Sequence, residues 1–352
     1  LALYDILRPL LFKLDPELAH RLTLYGMGVA QRSGFAHRIA APPADLPVSV
    51  FGITFPNPVG LAAGLDKNAE HLDALDALGF GFIEVGTVTP LAQPGNPKPR
   101  MFRLPSHEAI INRLGFNNGG VDALVRNVQR SSYHGVLGIN IGKNKNTPNE
   151  KAVNDYLTCL HKVYEHASYI TVNISSPNTQ GLRDLQEEAT LHKFISVLRA
   201  AQERLGSQHG RRKPMLLKIA PDLSEAELDS IAAVLLRTGI DGVICSNTTV
   251  EHAAVADDPH GGETGGLSGK PLFERSTAVL AGMHRRLYGR IPLIGVGGIL
   301  DGSDAAEKLD AGASLVQLYS GLIYRGPHLI AECVNEIRRQ REALAEGSSH
   351  VD

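Results

Sequence analysis

The stretch YITVNISSPNTQGLRDLQ, residues 169–186, sets two carboxamides, Asn173 and Asn178, on either side of the hydroxyls Ser175 and Ser176. Amides both donate and accept, so the pair suits a flat ligand that alternates C=O and N–H groups. A hydroxyl held between them is a candidate base or nucleophile. Residues 169–174 carry β-branched side chains in alternation and read as a buried strand. Pro177 and its neighbours end that strand and begin a turn. An Asx/Ser turn that only closes a strand has the same local pattern, so the rest of the chain must decide.

Other apolar runs end in similar chemistry. Residues 58–62 close on Ala62, Ala63 and Gly64, followed by Asp66, Lys67 and Asn68. Thr87 follows 82–86, and Asn140 lies in 136–141. Lys218 sits among apolar neighbours in 215–219, and 242–246 runs into Ser246, Asn247 and Thr248. Gly297 and Gly298 follow 292–296, and Tyr319, Ser320 and Gly321 follow 314–318. Small residues let a flat ring approach the backbone. Turn chemistry explains any one of these ends, but not an Asn and a Lys inside apolar strands. An interior lysine is costly unless it meets negative charge. Lys218 and Lys67 together point to an anionic cofactor and an anionic or charge-accumulating substrate. The glycines after the last two runs match the backbone N–H phosphate site of barrel enzymes.

The eight runs alternate with helical patterns near 68–78, 118–131, 150–166, 190–205, 224–238, 272–288 and 302–311, and from 327 onward. That alternation predicts parallel pairing. The expected fold is α/β, a (β/α)8 TIM barrel; a doubly wound open sheet is the alternative. Two connections, 87–133 and 251–270, are long and rich in Pro and Gly, as functional loops are. Residues 1–45 differ. Leu3, Leu7, Leu10, Leu11 and Leu14 repeat at helical spacing, and Asp15 with Pro16 announces a second helix. Leu18, Leu22, Tyr25 and Val29 continue its apolar face, and 40–47 reads as a linker. The expected division is a helical hairpin with linker over 1–45 and a barrel over 46–352. The hairpin either packs on the barrel or lies on a membrane, since both uses need the same stripe.

Composition narrows the function further. The 352 residues are 43% hydrophobic and 20% charged, as in ordinary globular proteins. A formal net charge of −2 without a basic run argues against nucleic acid. Three separated cysteines and no HExxH spacing argue against a metal site and a disulfide framework. No apolar run reaches the roughly 20 residues of a membrane span. The chain begins at Leu1 and shows no secretory signal pattern.

The stretches GLAAGLDKNAE, FIEVGTVTP, INRLGFNN, VNISSPNTQGLRDLQ, KIAPD, SNTT, GGLSGKPL, GVGGI and QLYSGLIY are long and uncommon. Over essentially its whole length the chain resembles the membrane-associated, quinone-dependent (class 2) dihydroorotate dehydrogenases. The resemblance implies an FMN barrel that oxidises dihydroorotate to orotate in pyrimidine synthesis and passes the electrons to a quinone.

Carried over by position, the flavin-holding residues are Ala62, Ala63, Gly64, Leu65, Asp66, Thr87, Asn140, Asn173, Lys218, Ser246, Gly269, Gly298, Tyr319 and Ser320. The substrate set is Lys67, Asn112, Arg113, Leu114, Gly115, Phe116, Asn173, Asn178, Asn247 and Thr248. Ser176 is the implied base; the soluble class 1 relatives carry Cys there and lack the hairpin. A free serine is a poor base, so a water chain through Thr179 is expected to take its proton. Residues 181–184 are expected in a lid over the substrate. His20, Arg103 and Tyr319 would line a quinone tunnel. Ser246 stands where many members have Thr, which keeps the hydroxyl. The expected protein is a monomer held peripherally by its N-terminal helices at the cytoplasmic face of a bacterial inner membrane. The alternatives are a class 1-type or other FMN barrel with a different acceptor, a phosphate-binding aldolase or isomerase, and an inactive scaffold.

Overall fold

The computed structural model describes residues 3–34 and 43–348. Residues 35–42, which include the start of the expected linker, and 349–352 lie outside the described residues. The chain opens with α1 (Leu3–Leu11) and α2 (Pro16–Arg32), then β1 (Val48–Val50) and β2 (Ile53–Phe55). There follow β3 (Val59–Leu61), α3 (Leu72–Asp76), β4 (Phe82–Val88), β5 (Met101–Leu104) and β6 (Ala109–Asn112). Next come α4 (Val121–Arg130), β7 (Val136–Ile141), α5 (Ala152–Val163), β8 (Tyr169–Asn173) and α6 (Glu188–Gln208). Then come β9 (Met215–Ile219), α7 (Glu225–Thr238), β10 (Gly242–Cys245), β11 (Gly266–Gly269) and α8 (Phe273–Leu287). The last are β12 (Leu293–Val296), α9 (Gly302–Asp310), β13 (Leu315–Leu318), α10 (Ser320–Arg325) and α11 (His328–Ser348).

Eight of these strands close into a parallel barrel in the order β3, β4, β7, β8, β9, β10, β12, β13. The β13–β3 pairing closes the ring, which an open doubly wound sheet would lack. Closure also removes every free edge. A layer of large side chains, including Phe55, Phe82, Tyr169, Leu216, Ile244, Ile294 and Leu315, fills the end of the barrel opposite the strand C-termini. The β1–β2 hairpin covers that end, and Phe55 packs edge-on to Phe82 with centroids 5.1 Å apart. Chemistry is thereby left to the C-terminal rim.

Three features depart from the sequence expectation. The helix expected over 68–78 shrinks to α3, because the Asp66 carboxylate accepts from the N–H groups of Glu70 and His71 and holds the chain in a loop. The two long connections are not irregular: they meet as an antiparallel sheet, β11-β6-β5, beside the barrel mouth. β11 reads GLSG, a sequence with no strand propensity, so only its pairing with β6 makes it a strand. A short helix, α10, also intervenes before α11.

The N-terminal helices use both faces. Asp15 caps α2 by accepting from the Leu18 N–H at 2.9 Å, as its position predicts. Toward the barrel, Ala19 and Leu24 are buried and Phe12 packs edge-on to Tyr324. Away from it, Ile6, Leu10, Leu14, Leu18, Tyr25 and Val29 are exposed, Leu10 by 61% and Tyr25 by 65%.

At the rim, Gly86 has φ +98°, and an added Cβ would lie 2.3 Å from the Asn140 carbonyl oxygen. Both the backbone conformation and the contact exclude a side chain. Gly86→Ala is expected to cost about 3 kcal/mol, read from the midpoint of urea unfolding.

Candidate active site

The strand ends converge on one polar cavity at the barrel mouth. Its walls include Ala62, Ala63, Gly64, Lys67, Thr87, Asn173, Ser176, Asn178, Lys218, Ser246, Asn247 and Thr248. The loop between β6 and α4 brings Leu114, Gly115 and Phe116 over the top, together with Asn112. Gly269, Gly298, Tyr319 and Ser320 complete the wall.

Hydrogen bonds fix the amides. The Asn173 side-chain oxygen accepts from the Ser175 N–H at 3.2 Å and from its hydroxyl at 2.9 Å. Asn247 donates to the Ser175 hydroxyl at 3.0 Å, and its own oxygen accepts from the Thr248 N–H at 2.8 Å. Asn178 donates to the backbone and side-chain oxygens of Asn112, at 3.1 and 3.3 Å. Ser175 is thus committed to positioning. Ser176 lines the cavity, and its Oγ accepts from the Asn178 N–H at 3.2 Å. Thr179 is buried but does not line the cavity.

Four expected residues stand elsewhere. Asn140 is sealed below the cavity and reaches it only through Thr87, whose hydroxyl donates to Asn140 Oδ1 at 2.6 Å. Asp66 is spent on the loop N–H groups. Leu65 faces a second, apolar cavity. Arg113 turns outward to Glu263 at 2.7 Å and stacks over Phe102, so it braces the neighbouring loops. Conversely, Glu84, Ser268 and Gln317 belong to the site or its floor and escaped the sequence reading. Glu84 and Gln317 carried the same signal as Lys218, a polar residue inside an apolar strand.

Two lysines set the charge. Lys67 donates to the Gly64 carbonyl at 2.9 Å. Burial and the Arg100 cation push its pKa down to about 8. Burial also lowers the Lys218 pKa, which the Glu84 carboxylate opposes. The Lys218 ammonium makes no hydrogen bond or ion pair among the described residues, and Gln317 Oε1 is buried without a donor. Gly298, at φ +78°, has no room for a Cβ, which would lie 2.5 Å from the Phe273 Cα. An unpaired cation, an unpaired acceptor and a close glycine approach fit a flat anionic group with acceptors and donors along one edge.

The second cavity, about 580 Å³, lies between the N-terminal helices and the barrel. Its walls are mostly apolar, among them Leu7, Phe12, Ala19, Leu22, Met27, Leu65 and Leu322. His20, Arg103 and Tyr319 are among its polar residues, with Tyr4 and Thr23. Burial, Lys67 and His71 depress the His20 pKa to about 4, so the ring is neutral at pH 7. Arg103 donates to the carbonyls of Leu11 and Leu14 and lies 4.7 Å above the Phe12 ring, tying α1 to β5. Tyr319 lines both cavities and is the wall between them. Among the described residues no helix is long and apolar enough to cross a membrane, and no group of side chains could hold a metal.

Comparisons with known proteins agree with this architecture. The family described as Dihydroorotate dehydrogenase matches residues 45–340. A Stenotrophomonas maltophilia (strain K279a) protein named dihydroorotate dehydrogenase (quinone) is 61% identical over 98% of this chain and 99% of its own. The protein of that name from Xanthomonas oryzae pv. oryzae (strain PXO99A) is 60% identical over the same shares. The crystal structure of DHODH from Eimeria tenella in complex with ferulenol superposes with a TM-score of 0.87 at 39% identity, covering 94% of this chain and 93% of that one. The chain belongs to the dihydroorotate dehydrogenase family, in its quinone-dependent class.

Proposed function

We propose that this protein oxidises dihydroorotate to orotate in the polar cavity and reduces a quinone in the apolar one, with FMN as the group between them. The observation that carries this reading is the pair of cavities, one polar and one apolar, that share Tyr319. Family membership removes the aldolase or isomerase alternative.

Lys218, Thr87, Gln317 and the backbone at Ala62–Gly64 and Gly297–Gly298 would hold the FMN, with Ser246, Gly269, Tyr319 and Ser320 beside them. When bound, FMN supplies the acceptor for the hydrogen and electron pair that leave C6 of the substrate. Asn112, Asn173, Asn178 and Asn247 orient the pyrimidine ring, each already locked by the bonds described above. Lys67 meets its carboxylate, with Thr248 and the 114–116 loop closing the pocket. Ser176 takes the C5 proton. The hydroxyl needs a partner to accept its own proton, and a water at Thr179 would serve. Arg183 latches the 181–186 segment: it donates to the Ser175 and Thr248 carbonyls and pairs with Asp222 at 2.8 Å. Opening that latch would admit substrate and closing it would exclude water.

The exposed apolar face of α1 and α2 would rest on a lipid surface and bring quinone to the cavity beneath. The protein would then be peripheral, without a spanning segment.

An anaerobic absorbance titration tests the first half-reaction. The yellow protein should bleach stoichiometrically with dihydroorotate; a colourless protein that takes up no FMN would overturn the reading. Ser176→Ala should bind orotate and FMN but bleach about 10³-fold more slowly. Lys67 predicts a pH effect of defined sign. It is charged below its pKa of about 8 and neutral above, so kcat/KM for the anionic substrate should fall above that pH. The turnover step itself should quicken with pH, because Ser176 acts as base. Leu10→Glu with Tyr25→Glu should abolish sedimentation with phospholipid vesicles while leaving dihydroorotate bleaching at the wild-type rate.

A further inference from the structure

Lys308, on α9, has no access to solvent. Its stem crosses β12 at Gly295, where an added Cβ would lie 3.1 Å from the Lys308 Cβ. Its nitrogen ends at the first turn of α8 instead of in water. Nζ donates to the Ser276 hydroxyl at 2.6 Å, to the Thr277 hydroxyl at 2.8 Å and to the Phe273 carbonyl at 3.4 Å. It also lies 4.7 Å from the centre of the Phe273 ring. Burying a lysine is costly, and an apolar side chain of similar length fills such a place more cheaply. Packing alone therefore does not account for it.

The hydroxyls pass the contact on. The Ser276 hydroxyl lies 3.0 Å from two carbonyls, those of Phe273 and Gly297. The Phe273 carbonyl is already served by the Thr277 hydroxyl at 2.8 Å, which leaves the Ser276 hydrogen for Gly297. A carbonyl cannot donate, so the row Lys308, Ser276, Gly297 runs in one direction, with the lysine as donor. Burial pushes the Lys308 pKa down to about 7, yet ammonium and amine alike carry the two N–H groups that the two hydroxyls need.

Gly297 and Gly298 stand on the wall of the polar cavity. Their φ angles are +116° and +78°, and both lean on the same turn of α8. A Cβ on Gly297 would lie 2.8 Å from Ser276 Oγ, and one on Gly298 would lie 2.5 Å from the Phe273 Cα. Glycines have little conformational preference of their own, so the turn behind them fixes their place. We infer that Lys308 is a positioning residue: acting through Ser276, it holds the glycine loop in the shape that takes the phosphate of FMN. This rests on the functional reading above. Neither Lys308 nor Ser276 lines the cavity, and Lys218, Thr87 and Gln317 take no part in the row.

The test sets FMN against riboflavin, which lacks the phosphate. The FMN-loaded full chain is equilibrated with increasing riboflavin, and the bound flavins are separated and counted. The ratio of the two affinities then reports the phosphate contact alone, since any loss shared by both flavins cancels. Lys308→Met and Ser276→Ala should each lower the wild-type preference for FMN about tenfold. An unchanged ratio in either variant would overturn the proposal. In Ser276→Ala it would mean that the lysine acts by charge and not through the serine. In Lys308→Met it would mean that the serine holds the loop unaided. Should Lys308→Met fail to fold, Ser276→Ala, which removes one atom, decides by the same ratio. A wild type that binds both flavins alike would take the phosphate away from the loop, and the proposal with it. A wild type that holds no FMN would strike the functional reading instead.

Discussion

A buried carboxylate must be surrounded by donors, and the middle of this barrel is arranged around that demand at Glu84. Tyr169 from β8, Gln317 from β13 and Asn140 from β7 are drawn to β4 by it. Glu84 thereby ties together strands that also carry the site residues Asn173 and Tyr319 at or just beyond their ends. Below this layer the barrel is filled by aromatic and aliphatic side chains. Above it the polar groups are directed at a ligand. The boundary between filling and function falls at one layer, and the hydrogen bonds from Asn173 through Thr87 and Asn140 to Glu84 cross it.

Much of this was legible in the sequence because barrel strands are short apolar runs with a fixed spacing. All eight were located within two residues at each end, and β7 and β9 coincide with their runs. The site followed from the same pattern, since each strand end must face the mouth. What escaped was structure without local signal. β5, β6 and β11 exist because distant loops pair with one another, and GLSG carries no trace of a strand. Side-chain direction also escaped. Asn140 and Arg113 sit among site residues in sequence, yet one lies beneath the cavity and the other points away from it. Ser175 and Ser176 are adjacent and chemically identical, and only the bonds to Asn173 and Asn247 tell the positioning hydroxyl from the one that faces the cavity.

The N-terminal helices resolve a two-way expectation by satisfying both sides. Their inner face packs on the barrel through Phe12, Ala19 and Leu24, and their outer face leaves six large apolar residues uncovered. The charged pair between Glu17 and Arg100, at 2.7 Å, pins α2 to the loop before β5. The cavity beneath the helices is therefore held open by polar anchors at its edges, while its walls are mostly apolar.

The single shared wall at Tyr319 has a pharmacological consequence. Two ligands that share a single side chain of the wall need not displace each other, so a compound filling the apolar cavity would leave the polar cavity free. The two cavities also differ in how freely they can vary. Aliphatic side chains of similar volume exchange at little cost, whereas an amide locked at both ends has no equivalent replacement. Discrimination between this protein and its relatives is accordingly to be sought under the helices, where a change of shape leaves the locked amides of the polar cavity untouched.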